Sequence, residues 1–274
     1  AGKSTLLLQT VAKLSMQHKV LYVTGEESLQ QVALRANRLG LQTQNVKIAA
    51  ETSIDAICQM ASTEKPEILI VDSIQVMHVT GIESAPGSVS QVREAAAALT
   101  QFAKRSSVSV FMVGHVTKDG TLAGPKILEH CVDCSVILEA GTDMRYRTLR
   151  CQKNRFGAVN EIGVFAMTDT GLKEVKNPSA IFLNRSENVA AGSLPMVTWE
   201  GTRPLLVELQ ALVDISLYSN PRRLSIGTDQ NRLAMLLSVL HRHADFALGD
   251  QDVFVNIVGG VKIEDTSSAV PLCL

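Results

Sequence analysis

Blocks of apolar and polar positions alternate along the first half of the chain and predict helices and strands in turn. Thr5 to Leu14 reads as a helix, with Leu6, Leu7, Gln9, Thr10 and Leu14 spread over its faces. Lys19 to Thr24 is a short apolar strand. Ser28 to Leu39 is helix-like and ends at Gly40. Val46 to Ala50 is a second strand, and Ile54 to Ser62 is helical, stopped near Pro66. Glu67 to Val71 is an unbroken apolar run of the kind found in parallel strands buried on both faces. Val89 to Arg105 reads as a helix, and Ser107 to Val113 as another buried strand. Strands that alternate with helices in this way predict a parallel sheet covered on both sides.

After Cys134 the pattern changes. Val136 to Glu139, Tyr146 to Lys153 and Gly163 to Met167 read as strands joined by turns, an antiparallel extension. Lys176 to Pro195 carries Pro, Ser and Asn and marks a boundary. Beyond it, Met196 to Glu200, Leu205 to Val213 and Val253 to Val258 read as strands. Asn231 to His243 reads as an amphipathic helix. This predicts a second, α+β unit, ending at Val270–Leu274 without a capping element.

The chain has 274 residues and 46% hydrophobic content, enough for two domains with sizeable cores. Its formal net charge of −1 gives no global basic field, so any nucleic-acid contact has to come from local loops. No apolar run approaches a membrane span. Five cysteines, an odd count, suit a reducing compartment. Cys131-Val132-Asp133-Cys134 is a single C-x-x-C without a second pair, and buried structural thiols are its expected use.

The chemistry begins at the first residues. Ala1-Gly2-Lys3-Ser4-Thr5 before Leu6-Leu7-Leu8 is the end of a G-x-x-x-x-G-K-[ST] phosphate loop. Gly2 lets backbone N–H groups turn toward a phosphate, Lys3 reaches it as a point charge, and Ser4 offers a hydroxyl to Mg²⁺. The helix that starts there aims its positive end at the same anion. The chain is expected to open mid-motif, as a fragment. Four further features fit the loop. Asp72 ends a buried strand and can hold a Mg²⁺ shell. Gly25-Glu26-Glu27 follows a strand, where a carboxylate can orient a water; a solvated acidic turn is the plainer reading. His115 ends the next strand and can sense a γ-phosphate, or be a surface histidine. Lys153 and Arg155 at a strand end can complete a neighbouring subunit's site, or form a basic turn.

Together, Leu21–Ser28, Ile70–Ser73, Val113–Lys118 and Lys153–Gly157 resemble the signature stretches of the bacterial RadA (Sms) family of DNA-repair proteins; Lys153-Asn154-Arg155-Phe156-Gly157 is the most specific. Glu200–Glu208 and Asp252–Asn256 look like that family's Lon-protease-like domain. The resemblance covers essentially the whole chain and fails only near Val270–Leu274. It implies an α/β fold: a RecA-like P-loop ATPase core over 1–176, a linker over 177–195 and a partial α+β Lon-protease-like domain over 196–274, truncated at both ends. It implies a DNA-dependent ATPase of recombinational repair that drives branch migration. It further implies a cytoplasmic homohexamer on single-stranded and branched DNA, with the recombinase RecA as partner.

Carried over by motif, Gly2, Lys3, Ser4, Thr5, Asp72 and His115 would hold ATP, with Ser4 and Asp72 in the Mg²⁺ shell. Glu26 would be the catalytic glutamate, with Glu27 the fallback. Lys153 and Arg155 would act in trans. Val79 to Val89 and Thr117 to Glu129 resemble two DNA-facing loops, with Lys118 and Lys126 meeting phosphates. The family's four-cysteine zinc module is missing. The competing readings are a non-enzymatic ring scaffold on DNA and a Ser–Lys peptidase using Ser267.

Overall fold

The computed structural model describes residues 2–115, 128–140, 145–159, 161–179, 183, 191–200, 203–258, 263 and 269–273. The chain divides into two compact units, one of residues 1–138, 152–157 and 167–173, the other of residues 139–151, 158–166 and 174–274.

In the first unit, α1 (Lys3–Leu14), β1 (Val20–Thr24), α2 (Leu29–Arg38), β2 (Val46–Ala50), α3 (Ile54–Glu64), β3 (Ile68–Asp72), a 3₁₀ turn (Ile74–Val76), α4 (Val89–Ser106) and β4 (Ser109–Val113) follow one another. The strands form a parallel sheet in the order β2-β1-β3-β4. Period-two alternation splits its side chains between two cores. Val20, Tyr22, Ile68 and Ile70 pack with Val11 of α1 on one face. Leu21, Val23, Leu69 and Val71 pack with Ile54 and Ile57 of α3 and with Val92, Ala95 and Leu99 of α4 on the other. With both faces covered, β1 and β3 are buried at all five positions, which explains their unbroken apolar runs.

The helix starts have local causes. Ser28 and Gln31 form a reciprocal capping box at α2, and Ser53 and Ser88 cap α3 and α4 through their side chains. Lys65 ends α3 in the left-handed conformation, one residue before Pro66.

Two expectations need correction. β4 is not buried: Phe111 is 43% exposed, because β4 is the edge of the four-stranded sheet and, among the described residues, pairs there with β3 alone. The C-x-x-C thiols are not both buried either. Cys131 is partly exposed and Cys134 exposed, because Cys134 opens an outward-alternating strand.

That strand, β5 (Cys134–Ala140), begins a second sheet of order β5-β6-β7-β8 with β6 (Tyr146–Asn154), β7 (Ile162–Thr168) and β8 (Gly171–Glu174). β6 and β7 are antiparallel. β8, too short to show a period in sequence, turns back through Gly171 at φ +103°.

The second unit contains β9 (Ser193–Glu200), β10 (Arg203–Ile215), β11 (Arg223–Ile226), α5 (Gln230–His243), β12 (Gln251–Ile257) and α6 (Ala269–Cys273). Its sheet runs β11-β12-β10-β9, with β11 parallel to β12 and the other pairs antiparallel. Leu233 and Leu237 of α5 close a core over Met196, Leu205, Val207, Leu209, Val253, Val255 and Ile257. The short helix α6 stands where an uncapped end was expected, and its Leu272 packs against this core. Ser267 lies outside the described residues. No helix among the described residues is long and apolar enough to cross a membrane.

Burial sets the expected response to truncation. Leu69→Ala, at a fully buried position of a central strand, is expected to cost about 2–5 kcal/mol. Phe111→Ala on the exposed edge is expected to cost about 1 kcal/mol or less. Urea midpoints compared between the two variants and wild type check the difference.

Candidate active site

In the parallel sheet, β1 is followed by β2 on one side, and β3 returns to its other side. Strand order therefore reverses between β1 and β3, and the crevice beyond their carboxyl ends is the place where such sheets bind ligands. The register sets Thr24 beside Asp72 and Asp72 beside Val113. The residues just beyond, Gly25-Glu26, Ser73 and Gly114-His115, therefore emerge along one edge.

Two hydrogen bonds cross the β1/β3 crevice. The Tyr22 hydroxyl donates to Asp72 Oδ2 at 2.6 Å, with both residues buried. The Ser73 hydroxyl donates to Glu26 Oε1. The Asp72–Ser73 peptide is cis. Gly25 allows this closeness: its N–H donates to Asp72 O at 2.8 Å, and a Cβ there would stand 2.5 Å from Val76 Cγ2.

Lys3, in the first turn of α1, joins the same group. Its ammonium donates to Gly114 O at 2.6 Å and lies 2.9 Å from His115 Nδ1. An ammonium can only donate, so Nδ1 accepts and the ring proton sits on Nε2. Nε2 is 3.2 Å from Glu26 Oε1. A continuous polar chain thus runs Lys3–His115–Glu26–Ser73. Burial lowers the Lys3 pKa below the ordinary lysine value, while the Asp72 and Glu26 carboxylates pull it back up. A partly desolvated cation of this kind favours an incoming anion.

Gly2 caps α1 at φ +95°, a conformation that disfavours a side chain, and a Cβ there would meet Met167 Cε at 2.8 Å. Gln9 anchors the same helix, donating to Leu172 O at 3.2 Å and accepting from Leu172 N at 2.9 Å. The N–H groups of Lys3, Ser4 and Thr5 lie in the first turn of α1, ahead of the Leu6 N–H that donates to Gly2 O, at the helix end where phosphates bind. The donor set also fits Mg²⁺. That ion is held by one or two protein oxygens plus phosphates and waters, and Ser4 hydroxyl with Asp72 carboxylate supplies hard oxygens only. The site can therefore hold a polyphosphate and its cation, with a carboxylate alongside to orient water.

The two glutamates separate. Glu26 faces Lys3, His115 and Ser73, whereas Glu27 is held in a bidentate pair by Arg35 of α2, at 2.7 Å for one of its two contacts. Arg35 belongs to no motif, and Tyr22 lies in the signature stretch Leu21–Ser28 without a role assigned to it. That stretch and a lone tyrosine in an otherwise aliphatic strand are the traces of Tyr22 in the sequence; Arg35 leaves none. Lys153 and Arg155 are held on the segment before β5. Lys153 Nζ donates to Glu129 O. Arg155 donates from its backbone N–H to Asp133 O and from its guanidinium to Asp133 Oδ1, each at 2.9 Å. Lys118 and Lys126 lie outside the described residues.

This parallel sheet, with a G-K-S helix start and acidic residues at its carboxyl edge, defines a P-loop ATPase fold of the RecA-like and KaiC-like class. A KaiC-like protein from the archaeon Pyrococcus horikoshii shares the fold, at 16% identity and a TM-score of 0.53 over 64% of this chain and 84% of that one. The family described as AAA domain matches residues 1–121. The chain is 65% identical over all of its 274 residues to the DNA repair protein RadA of Escherichia coli K12. It is 58% identical over 271 residues to that of Pseudomonas aeruginosa and 46% over 265 residues to that of Bacillus subtilis. It covers 60%, 60% and 58% of the length of these relatives, which cover 100%, 99% and 96% of this chain. Over its whole length it is similar to DNA repair proteins of the RadA family.

Tyr22 gives the site a pH signature. Burial, then the Asp72 charge and hydrogen bond, push its pKa well above the ordinary tyrosine value of about 10. The neutral phenol is therefore stabilised by the fold, fully below about pH 10 and less as pH rises further, because the unfolded chain ionises first. Tyr22→Phe is expected to lose about 1–3 kcal/mol at neutral pH. Its deficit should shrink by ~1.4 kcal/mol per pH unit above about pH 10. Denaturant titrations of both proteins across that range check the slope, and a constant deficit would contradict it.

Proposed function

We propose that the protein is a DNA-repair ATPase that couples ATP hydrolysis with Mg²⁺ to movement of branched recombination intermediates. The observation that carries this reading is the polar chain from Lys3 through His115 to Glu26, at the edge where Asp72 also emerges. In it, Lys3 and the α1 N–H groups bind the phosphates, and Ser4 and Asp72 hold the cation. Glu26 orients the attacking water, and His115 reports whether Lys3 is engaged by phosphate or by the protein. The printed names of the relatives support DNA repair as the setting.

The finer parts are proposals of the same kind. Residues 1–176 act as the ATPase domain and 196–274 as part of a Lon-protease-like domain, joined by 177–195. The protein works in the cytoplasm as a homohexamer on single-stranded and branched DNA, beside the recombinase RecA. Lys118 and Lys126 contact phosphates. Lys153 and Arg155 serve the neighbouring subunit's nucleotide. The Arg155 side chain is 55% exposed even while paired with Asp133, so its remaining N–H groups are accessible to a second subunit. The thiol-bearing cysteines suit a reducing compartment.

In the full-length protein, Glu26→Gln is expected to keep ATP binding and lose turnover by roughly 10²-fold or more. Glu27→Gln, at the carboxylate held by Arg35, is expected to stay within several-fold of wild type. Near-normal turnover in Glu26→Gln, measured with single-stranded DNA present, would sink the assignment.

A separate test addresses the two cations. Arg155→Ala and Lys3→Ala subunits, each inactive alone, are expected to regain part of the DNA-stimulated activity when mixed. Some interfaces then join an intact loop to an intact arginine, a contribution worth ~10³–10⁵ in rate where such arginines act in GTPases. Mixed rings verified by mass but without recovery would assign Arg155 to its own subunit.

A further inference from the structure

Strand pairing fixes the backbone of Asp72 but not its carboxylate. The register holds the residue between Thr24 and Val113, and Gly25 N donates to its carbonyl. The side chain still has two torsions, and the outer torsion of an aspartate has no sharply preferred angle. A carboxylate held only by its strand could turn either oxygen outward. The Tyr22 hydroxyl removes that freedom by donating to Oδ2 at 2.6 Å. Among the described residues, this is the hydrogen bond that the Asp72 carboxylate makes.

Tyr22 is itself unable to yield. It is 2% exposed, and its ring packs with Val11 of α1 and with Val20, Ile68, Ile70 and Val113 of the sheet. A phenylalanine would fill that space as well. A hydroxyl buried there costs free energy unless it is bonded, so its place in this core depends on Asp72. The phenol is also neutral at physiological pH and acts as a donor without cancelling the carboxylate's charge. A lysine or arginine at the same position would orient Asp72 but neutralise it, and a cation site needs the charge. Because β1 runs on into Gly25-Glu26, one strand sets both Asp72 and the carboxylate beside Lys3.

We propose that Tyr22 is a positioning residue of the cation site, holding Asp72 so that Oδ1 stays available to Mg²⁺ or to one of its waters. The inference rests on the ATPase reading above, with Asp72 at the cation, and goes beyond it by assigning Tyr22 to the metal rather than to the nucleotide. Partners that orient a metal ligand from behind are typically worth about 10–100-fold in metal affinity. The phosphates are met by Lys3 and the start of α1, so nucleotide binding without metal does not draw on the hydroxyl.

The test uses the full-length protein and a fluorescent ATP analogue, titrated once in EDTA and once over a Mg²⁺ series. Tyr22→Phe is expected to keep the affinity seen in EDTA and to raise the Mg²⁺ midpoint by about tenfold. Val20→Ala loosens the same core without touching Asp72; it should lower the urea midpoint and leave the Mg²⁺ midpoint in place. In an Asp72→Asn background, adding Tyr22→Phe should change the Mg²⁺ response no further, because the hydroxyl acts through the carboxylate. If Tyr22→Phe fails to fold, meta-fluorotyrosine placed at residue 22 alone keeps the hydroxyl and reports by fluorine NMR. Its signal should move when Mg²⁺ is added to the nucleotide complex, and Asp72→Asn should abolish that movement. An unchanged Mg²⁺ midpoint in folded Tyr22→Phe overturns the proposal, as does a fluorine signal indifferent to Mg²⁺. So does an equal loss of affinity in EDTA and in Mg²⁺, which would make Tyr22 a packing residue only. In each of these cases the ATPase reading survives if wild type binds nucleotide more tightly with Mg²⁺ and Asp72→Asn does not. Wild-type affinity that ignores Mg²⁺ removes the cation site, and this inference with it.

Discussion

The parallel register between β1 and β3 is the constraint on which the site depends. Pairing Thr24 with Asp72 brings Tyr22 within hydrogen-bonding reach of the Asp72 carboxylate and Glu26 within reach of Ser73. A slip of one residue would send every side chain of a strand to the opposite face. Here that exchange would put Tyr22 and Val20 where Leu21 and Val23 now pack. Both faces of β1 and β3 are dry, so hydrophobic burial enforces the register, and the polar contacts at the edge come with it. The core of this unit thus does for the site what no polar contact could do alone.

Against that rigid edge, the Lys3 ammonium is in tension. Burial disfavours its charge, two carboxylates favour it, and its hydrogen bonds go to the protein's own Gly114 carbonyl and His115. A phosphate would compete for the same protons. Because His115 spans Lys3 and Glu26, drawing Lys3 away frees the ring from one of its two partners. In the proposed reading, what Lys3 binds is thereby passed on to Glu26. Gln75 adds a strut, donating to His115 O at 3.1 Å. Glu27, close in sequence to this chain, is kept out of it by Arg35.

Local chemistry and tertiary placement divide the remaining features. The capping serines Ser28, Ser53 and Ser88 and the left-handed Gly2 act within a few residues of themselves, and a reader of the chain can see them. Arg35 meets Glu27 across a helix turn and a loop, Gln91 reaches back over twelve residues to Val79, and Gln9 grips Leu172 from the far end of the unit. None of these pairings has a spacing that recurs, so nothing marks them before the chain folds. The same holds for β8 and β11, whose four residues each are too few to display a period.

By itself the sequence determined the alternation of strands and helices, the two-sided burial of β1 and β3, the phosphate-loop motif at Gly2–Ser4 and the likeness to the RadA family. Each of these follows from residue type and near-neighbour spacing. Only the tertiary structure decided that β4 is an exposed edge, since strand order is invisible in a run of apolar residues. It also decided that Cys134 faces outward and that Glu26, not Glu27, faces Lys3. Two adjacent carboxylates look alike in a sequence. They differ once a helix places an arginine against one and a parallel register places a histidine and a serine against the other.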